Sequence, residues 1–239
     1  MTAEDLGYVL HSRPYRETSQ LLTLFTADHG RFNAIGRASR RQHAGNCLRP
    51  FCALRLAWRG KSELKTLASA EPLRSPALLA GDRLFVGLYL NELLARLLHE
   101  HEPHPELFQR YHQALEILGG GGEVEPVLRI FELMLLEDLG YGLELAIDME
   151  SGAPVEPGLR YVFFPGEGVR LHRAGERGFS LFSGEHLLAI AAGELDDAEV
   201  LKAAKQLTRQ ALGPYLGNKP LASRELFRAR SGGDGAPGP

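Results

Sequence analysis

The hydrophobic period of this chain changes near Pro76, and that change limits the folds open to it more than any other feature. Before it, residues 6–12, 19–26, 31–37, 52–59 and 64–70 are short runs of apolar and β-branched residues. Turn chemistry separates them at Ala27-Asp28-His29-Gly30 and at Arg59-Gly60-Lys61-Ser62. After it, apolar residues recur at helical spacing.

Successive strand side chains alternate faces, so the first half can be read residue by residue. In 31–37, Phe32 and Ala34 face a core while Arg31, Asn33 and Arg37 point away, and Ile35 interrupts the pattern. In 52–59 the split is cleaner, with Cys52, Leu54, Leu56 and Trp58 on one face and Arg55 and Arg59 on the other. Five short strands without a helical period predict a small closed barrel. The five-stranded OB-fold, which binds single strands, fits this pattern, and an SH3-like barrel is the structural alternative.

The second half reads as helices. One is predicted over 83–98, with Val86, Leu90, Leu93 and Leu97 on one face, and another over 106–118, followed by a glycine linker at 119–122. A third, over 127–139, is apolar nearly all round except for Arg129, Glu132, Glu137 and Asp138, which places it at the centre of a helical domain. Residues 143–182 lack helical period and carry a hairpin over 159–171 around Pro165-Gly166-Glu167-Gly168. Helices resume over 186–192 and over 197–212, the latter capped by Asp196, and Ser223 caps a last short helix through Arg230. The expected plan is α+β. A barrel domain spans 1–80, and a mainly helical domain spans 81–230 with a non-helical insert at 143–182. A disordered tail covers 231–239, where Gly and Pro leave nothing to bury.

Charge sharpens the functional reading. Residues 1–80 hold 12 Lys/Arg against 6 Asp/Glu, in a chain whose net charge is −3. Within that part, 29–62 contains Arg31, Arg37, Arg40, Arg41, Arg49, Arg55, Arg59 and Lys61 and no carboxylate, where composition predicts about four. Surfaces that approach phosphates do poorly with carboxylates nearby, so these eight side chains are the candidate DNA contacts. A second positive patch is expected among Lys202, Lys205, Arg209, Lys219, Arg224, Arg228 and Arg230.

Catalysis has no residues to stand on, because nucleophile elbow, Walker loop and dinucleotide fingerprint are all absent. His99, His101 and His104 are broken by Pro103 and Pro105 and lack the spacing of a helical zinc site, so no metal or cofactor is expected. Cys47 and Cys52 stand without a second pair, which points to reduced thiols. Neither a signal segment nor a membrane span is legible, so a cytoplasmic protein is expected. Arg129, a lone guanidinium on an apolar helix, either pairs with Glu132 or awaits an external carboxylate.

Four blocks, VLHSRPYRETSQLLTLFTADHGR, GLYLNELLARLL, FELMLLEDLGYGLEL and AAKQLTRQALGPYLGNKPLASRELFR, resemble in order the RecO family of recombination mediator and DNA repair proteins. The resemblance runs through nearly the whole chain and implies an OB-fold followed by a helical domain. It implies a protein that breaks no bonds: it binds single- and double-stranded DNA, anneals complementary strands, associates with RecR and helps RecA load onto strands covered by single-strand binding protein. It also implies association with the nucleoid and recognition of that coating protein's acidic C-terminal tail by the helical domain, with Arg129 carried over as a tail contact. Many members carry zinc-binding cysteines after the central helix. This chain has none over 143–182, so it resembles the metal-free branch, and no cofactor is implied. The rival reading is a protein adaptor whose barrel docks another protein instead of DNA.

Overall fold

The structure, a computed structural model, describes residues 2–37 and 47–226. The chain divides into two compact units, the first made of residues up to 124 with those from 219 on, the second of 125–218.

In the first unit β1 (Ala3–Tyr15), β2 (Ser19–Thr26), β3 (Gly30–Arg37), β4 (Leu54–Arg59) and β5 (Lys65–Pro72) close into a barrel in the order β1-β2-β3-β5-β4. β1 pairs with both β2 and β4, and β3 pairs with β5 in parallel, which is the OB-fold rather than the SH3-like alternative. Alternation fills the interior as expected: Val9, Leu22, Leu24, Phe32, Ala34, Cys52, Leu54, Leu56 and Trp58 are all buried together. Each large apolar side chain here contributes roughly 1.5–3 kcal/mol. Ile35 does not break the strand, because it lies outside the barrel opposite Leu21.

Two local devices set the barrel's ends. The β2–β3 turn is held by Asp5, whose carboxylate accepts from the Leu6 and Asp28 amides and contacts His29. Gly30 closes that turn at φ 68, and a Cβ there would lie 1.9 Å from the Glu102 carbonyl oxygen, so only glycine fits. In β1 the register shifts between Val9 and His11, leaving the Leu10 carbonyl outside the ladder. Asn91 satisfies it, donating from Nδ2 at 2.9 Å.

Asn91 lies on α1 (Asp82–Leu97), and Tyr111 on α2 (Pro105–Gly119) donates its hydroxyl to Asn91 Oδ1 at 2.5 Å. Tyr8 and Phe25, on the outside of the barrel, are buried against Phe108 and Tyr111 of α2. The division expected at residue 80 therefore runs inside this compact unit, because the barrel's outer aromatics need the first two helices to cover them. Residues 222–226 form a helical turn whose Ala222 and Ser223 amides donate to Glu92 of α1. Glu92, not Ser223, is thus the cap. Ser223 donates its own hydroxyl to the same carboxylate.

The second unit holds nearly all of α3 (Val124–Asp138), a three-stranded sheet in the order β7-β6-β8, and two more helices. The hairpin of β6 (Arg160–Phe164) and β7 (Gly168–Leu171) occupies the expected place, and β8 (Leu181–Ser183) adds a short third strand. Asp148 organises the loop beside it, accepting from the amides of Glu150, Ser151 and Leu171 and from the Ser151 hydroxyl. Ser183 caps α4 (Gly184–Ala192), accepting from the His186 amide. Asp197 rather than Asp196 caps α5 (Ala198–Leu216), accepting from the Glu199 and Val200 amides. No described helix is long and apolar enough to cross a membrane.

Candidate nucleic-acid interface

Strand register decides which basic residues meet. Because the interior takes Leu22, Leu24 and Ala34, the outer face of β1, β2 and β3 carries His11, Arg13 and Tyr15, then Thr23, Leu21 and Ser19, then Asn33 and Ile35. A single row crosses all five strands: Arg13 pairs with Leu21, Leu21 with Ile35, Ile35 with Thr66, and Thr66 with Arg59. No carboxylate interrupts it. Arg13 and Arg59 are exposed at its ends, and Arg59 Nε donates to Thr2 Oγ1 at 3.1 Å.

The five described candidates of the acid-free stretch, Arg31, Arg49, Arg55, Arg59 and Lys61, do not all lie in this row. Arg59 lies in this row, and Lys61 is exposed in the turn that follows it. Arg49 is exposed in the turn before β4. Arg55 is exposed farther along β4, between Leu6 and Glu71 in register, so an acid stands opposite it. Arg31 is largely enclosed. Its Nε donates to the Leu98 carbonyl at 2.9 Å and its Nη1 to Glu100 at 3.2 Å, while Asn33 donates to the same carboxylate at 2.7 Å. These contacts pin β3 to the α1–α2 turn, and they turn the Arg31 guanidinium to a structural task. Arg40, Arg41 and the side chain of Arg37 lie outside the described residues.

His101 belongs to the same turn, stacked on Phe32 with ring centroids 5.7 Å apart, and its amide donates to the Arg31 carbonyl. Cys47 and Cys52 are both buried, and burial pushes both thiols up, away from the thiolate.

Sequence reasoning missed Arg13 and Arg16. The signal was there: Arg13-Pro14-Tyr15-Arg16 interleaves bases with an aromatic, but it lies outside the acid-free window, and only the β1–β2–β3 register brings it beside that stretch.

In the second unit Arg129 is 2% exposed. Its guanidinium pairs with Glu132 and donates to Thr208 Oγ1 at 3.1 Å, with Glu125 at 3.5 Å. The structure thus gives Arg129 the internal partner and not a surface position. Positive charge at the surface comes instead from α5, where Lys202, Lys205 and Arg209, with Gln206 and Gln210, line a groove of about 550 Å³. Lys202 and Lys205 have exposed partners in Glu199 and Glu125, whereas Arg209 has no ion-pair partner among the described residues.

Comparison with known proteins divides the chain at a different place from the two compact units. A family model described as recombination protein O N terminal matches residues 1–76, and one described as recombination protein O C terminal matches residues 78–225. The chain is 49% identical over 228 residues to a DNA repair protein RecO of Pseudomonas paraeruginosa, covering 95% of this chain and 96% of that protein. It is 47% identical over 221 residues to one of Stutzerimonas stutzeri, covering 92% of each chain. It is 45% identical over 225 residues to one of Yersinia pestis, covering 93% of this chain and 92% of that one.

Proposed function

The chain belongs to the RecO family of DNA repair proteins, and on that premise we propose that it acts as a recombination mediator rather than an enzyme. It binds single- and double-stranded DNA on its OB barrel, anneals complementary strands, and with RecR helps RecA load onto strands covered by single-strand binding protein, working at the nucleoid. The observation that carries the DNA-binding step is the carboxylate-free row from Arg13 to Arg59 across the barrel. Phosphates are sequence-independent partners, and a row of this kind fixes a backbone without reading bases.

The acidic tail of single-strand binding protein is met by the second unit. The α5 groove of Lys202, Lys205 and Arg209 supports this better than Arg129, whose guanidinium is occupied by Glu132 and Thr208. A flexible tail ending in a carboxylate needs an accessible cation, and Arg209 is exposed.

Salt dependence of oligonucleotide binding tests the DNA reading. Counterion release from about five phosphates gives a log-log slope near roughly −3.5 on single strands. A flat response would favour the adaptor whose barrel docks protein.

A further inference from the structure

We infer that Tyr15, at the tip of the β1–β2 hairpin, is the base-stacking platform of the barrel, and that its ligand there is unpaired nucleic acid. The inference rests on the DNA-binding reading of the barrel and adds to it the residue that touches bases.

The argument begins by elimination. The chain up to residue 80 contains the aromatic residues Tyr8, Tyr15, Phe25, Phe32, Phe51 and Trp58. Tyr8 and Phe25 are buried under α2, Phe32 and Trp58 are inside the barrel, and Phe51 is 8% exposed. Of these six, only Tyr15 is partly exposed.

Its surroundings suit a base. Tyr15 ends β1 opposite Ser19, so its cross-strand neighbour is small. The Arg16 guanidinium lies 5.2 Å from the ring centroid, over one face, which leaves the other face to a base. Arg16 holds that place with φ 54, a left-handed conformation uncommon for a residue with a side chain. Arg13 stands two residues back on the same outer face, at the end of the carboxylate-free row, and is exposed. The nearest acid in sequence is Glu17, in the hairpin loop. A ring flanked by two guanidiniums is the combination that tracks a single strand, with cations for phosphates and a π-face for the base between them. A duplex keeps its bases stacked on one another and offers Tyr15 nothing.

The test compares oligodeoxythymidine with an abasic strand of the same length and with a duplex, by fluorescence anisotropy on the full chain. Tyr15→Leu keeps apolar bulk and removes the π-face. It is expected to weaken oligodeoxythymidine binding about tenfold and leave the abasic strand and the duplex unchanged, while Tyr15→Phe binds like the parent. Equal loss on thymidine and abasic strands would show that the ring only props its arginines, and no loss at all would leave it without a role; either overturns the platform. Should Tyr15→Leu fail to fold, the parent protein decides: tighter binding to the thymidine strand than to the abasic one supports stacking, and equal affinity overturns it. If the parent binds none of the three, the DNA-binding reading itself has failed and the platform falls with it.

Discussion

Arg129 and Glu132 form an ion pair one helical turn apart on α3, with side chains 3% and 1% exposed, and Thr208 of α5 donates its hydroxyl to the same carboxylate. Neither charge has water to fall back on. Removing one partner of a buried pair leaves the other uncompensated, so Arg129→Ala is expected to cost about 3–5 kcal/mol in urea unfolding. The double substitution Arg129→Met with Glu132→Leu should recover most of that loss, since apolar replacements of similar volume leave no orphaned charge.

Tyr8 and His112 give the first unit a dependence on pH. Tyr8 meets His112 Nδ1, and Arg74 approaches Nε2, so the neutral ring donates to Tyr8 and accepts from Arg74. Burial and then the Arg74 cation hold His112 below the ordinary histidine range, against the pull of Glu116, while burial pushes Tyr8 up to about 12. A group whose pKa is lowered on folding adds stability that is fully present above its unfolded value, about 6.5, and is lost as pH falls through its folded value. Denaturation midpoints should therefore drop on acidification below about pH 6.5, and His112→Gln should flatten that part of the curve.

Asp148 does in the second unit what a metal does in other small modules. Burial alone would raise its carboxyl, but hydrogen bonds from Ser151, Leu171 and Glu150 hold it below the ordinary range. Asp148 takes these hydrogen bonds from protein amides and a hydroxyl, so chelators are expected to leave the melting temperature unchanged. Asp148→Ala orphans these amides and is expected to cost about 2–3 kcal/mol, with early protease cleavage near Ser151 as the second readout.

The barrel was legible in the sequence because alternation over 19–26, 31–37 and 52–59 is a direct record of inside and outside. The site was less so. Arg31 is tied to Glu100, 69 residues away, and Arg129 to Thr208, 79 residues away, and no local pattern announces partners at such distance. Arg13 and Tyr15 join the interface only through register. The three-residue β8 is too short for a period to show. The helix expected over 197–212 runs on as α5 to Leu216 with Pro214 inside it, although that nitrogen can donate no hydrogen bond to the ladder.

Arg31 of β3 and Arg59 of β4 should separate in function. Arg59 is exposed in the basic row, so Arg59→Glu is expected to weaken binding to all oligonucleotides alike and to make the single-strand salt slope shallower by about 0.7 for the phosphate it loses. Arg31 is spent on Leu98 and Glu100, so Arg31→Ala should lower the melting temperature and leave the salt slope in place.

Arg209 should carry the tail-binding step. It is exposed on α5, shares its groove with Lys202 and Lys205, and has no ion-pair partner among the described residues. Lys205 is engaged by Glu125 at 2.8 Å, but both partners are about half exposed, and such surface pairs are worth about 1 kcal/mol or less, so an incoming carboxylate can displace Glu125. Charge-assisted contacts of this kind are worth roughly 1.5–3 kcal/mol, so Arg209→Ala is expected to weaken binding of an acidic C-terminal peptide about tenfold or more. Arg209→Glu should weaken it further, and Glu125→Gln, which frees Lys205, should tighten it. Anisotropy of a labelled peptide at fixed salt reads all three. Oligonucleotide affinity should be unchanged in each variant, because the groove and the barrel row lie on different units; a parallel fall in DNA binding would instead make α5 part of the nucleic-acid surface.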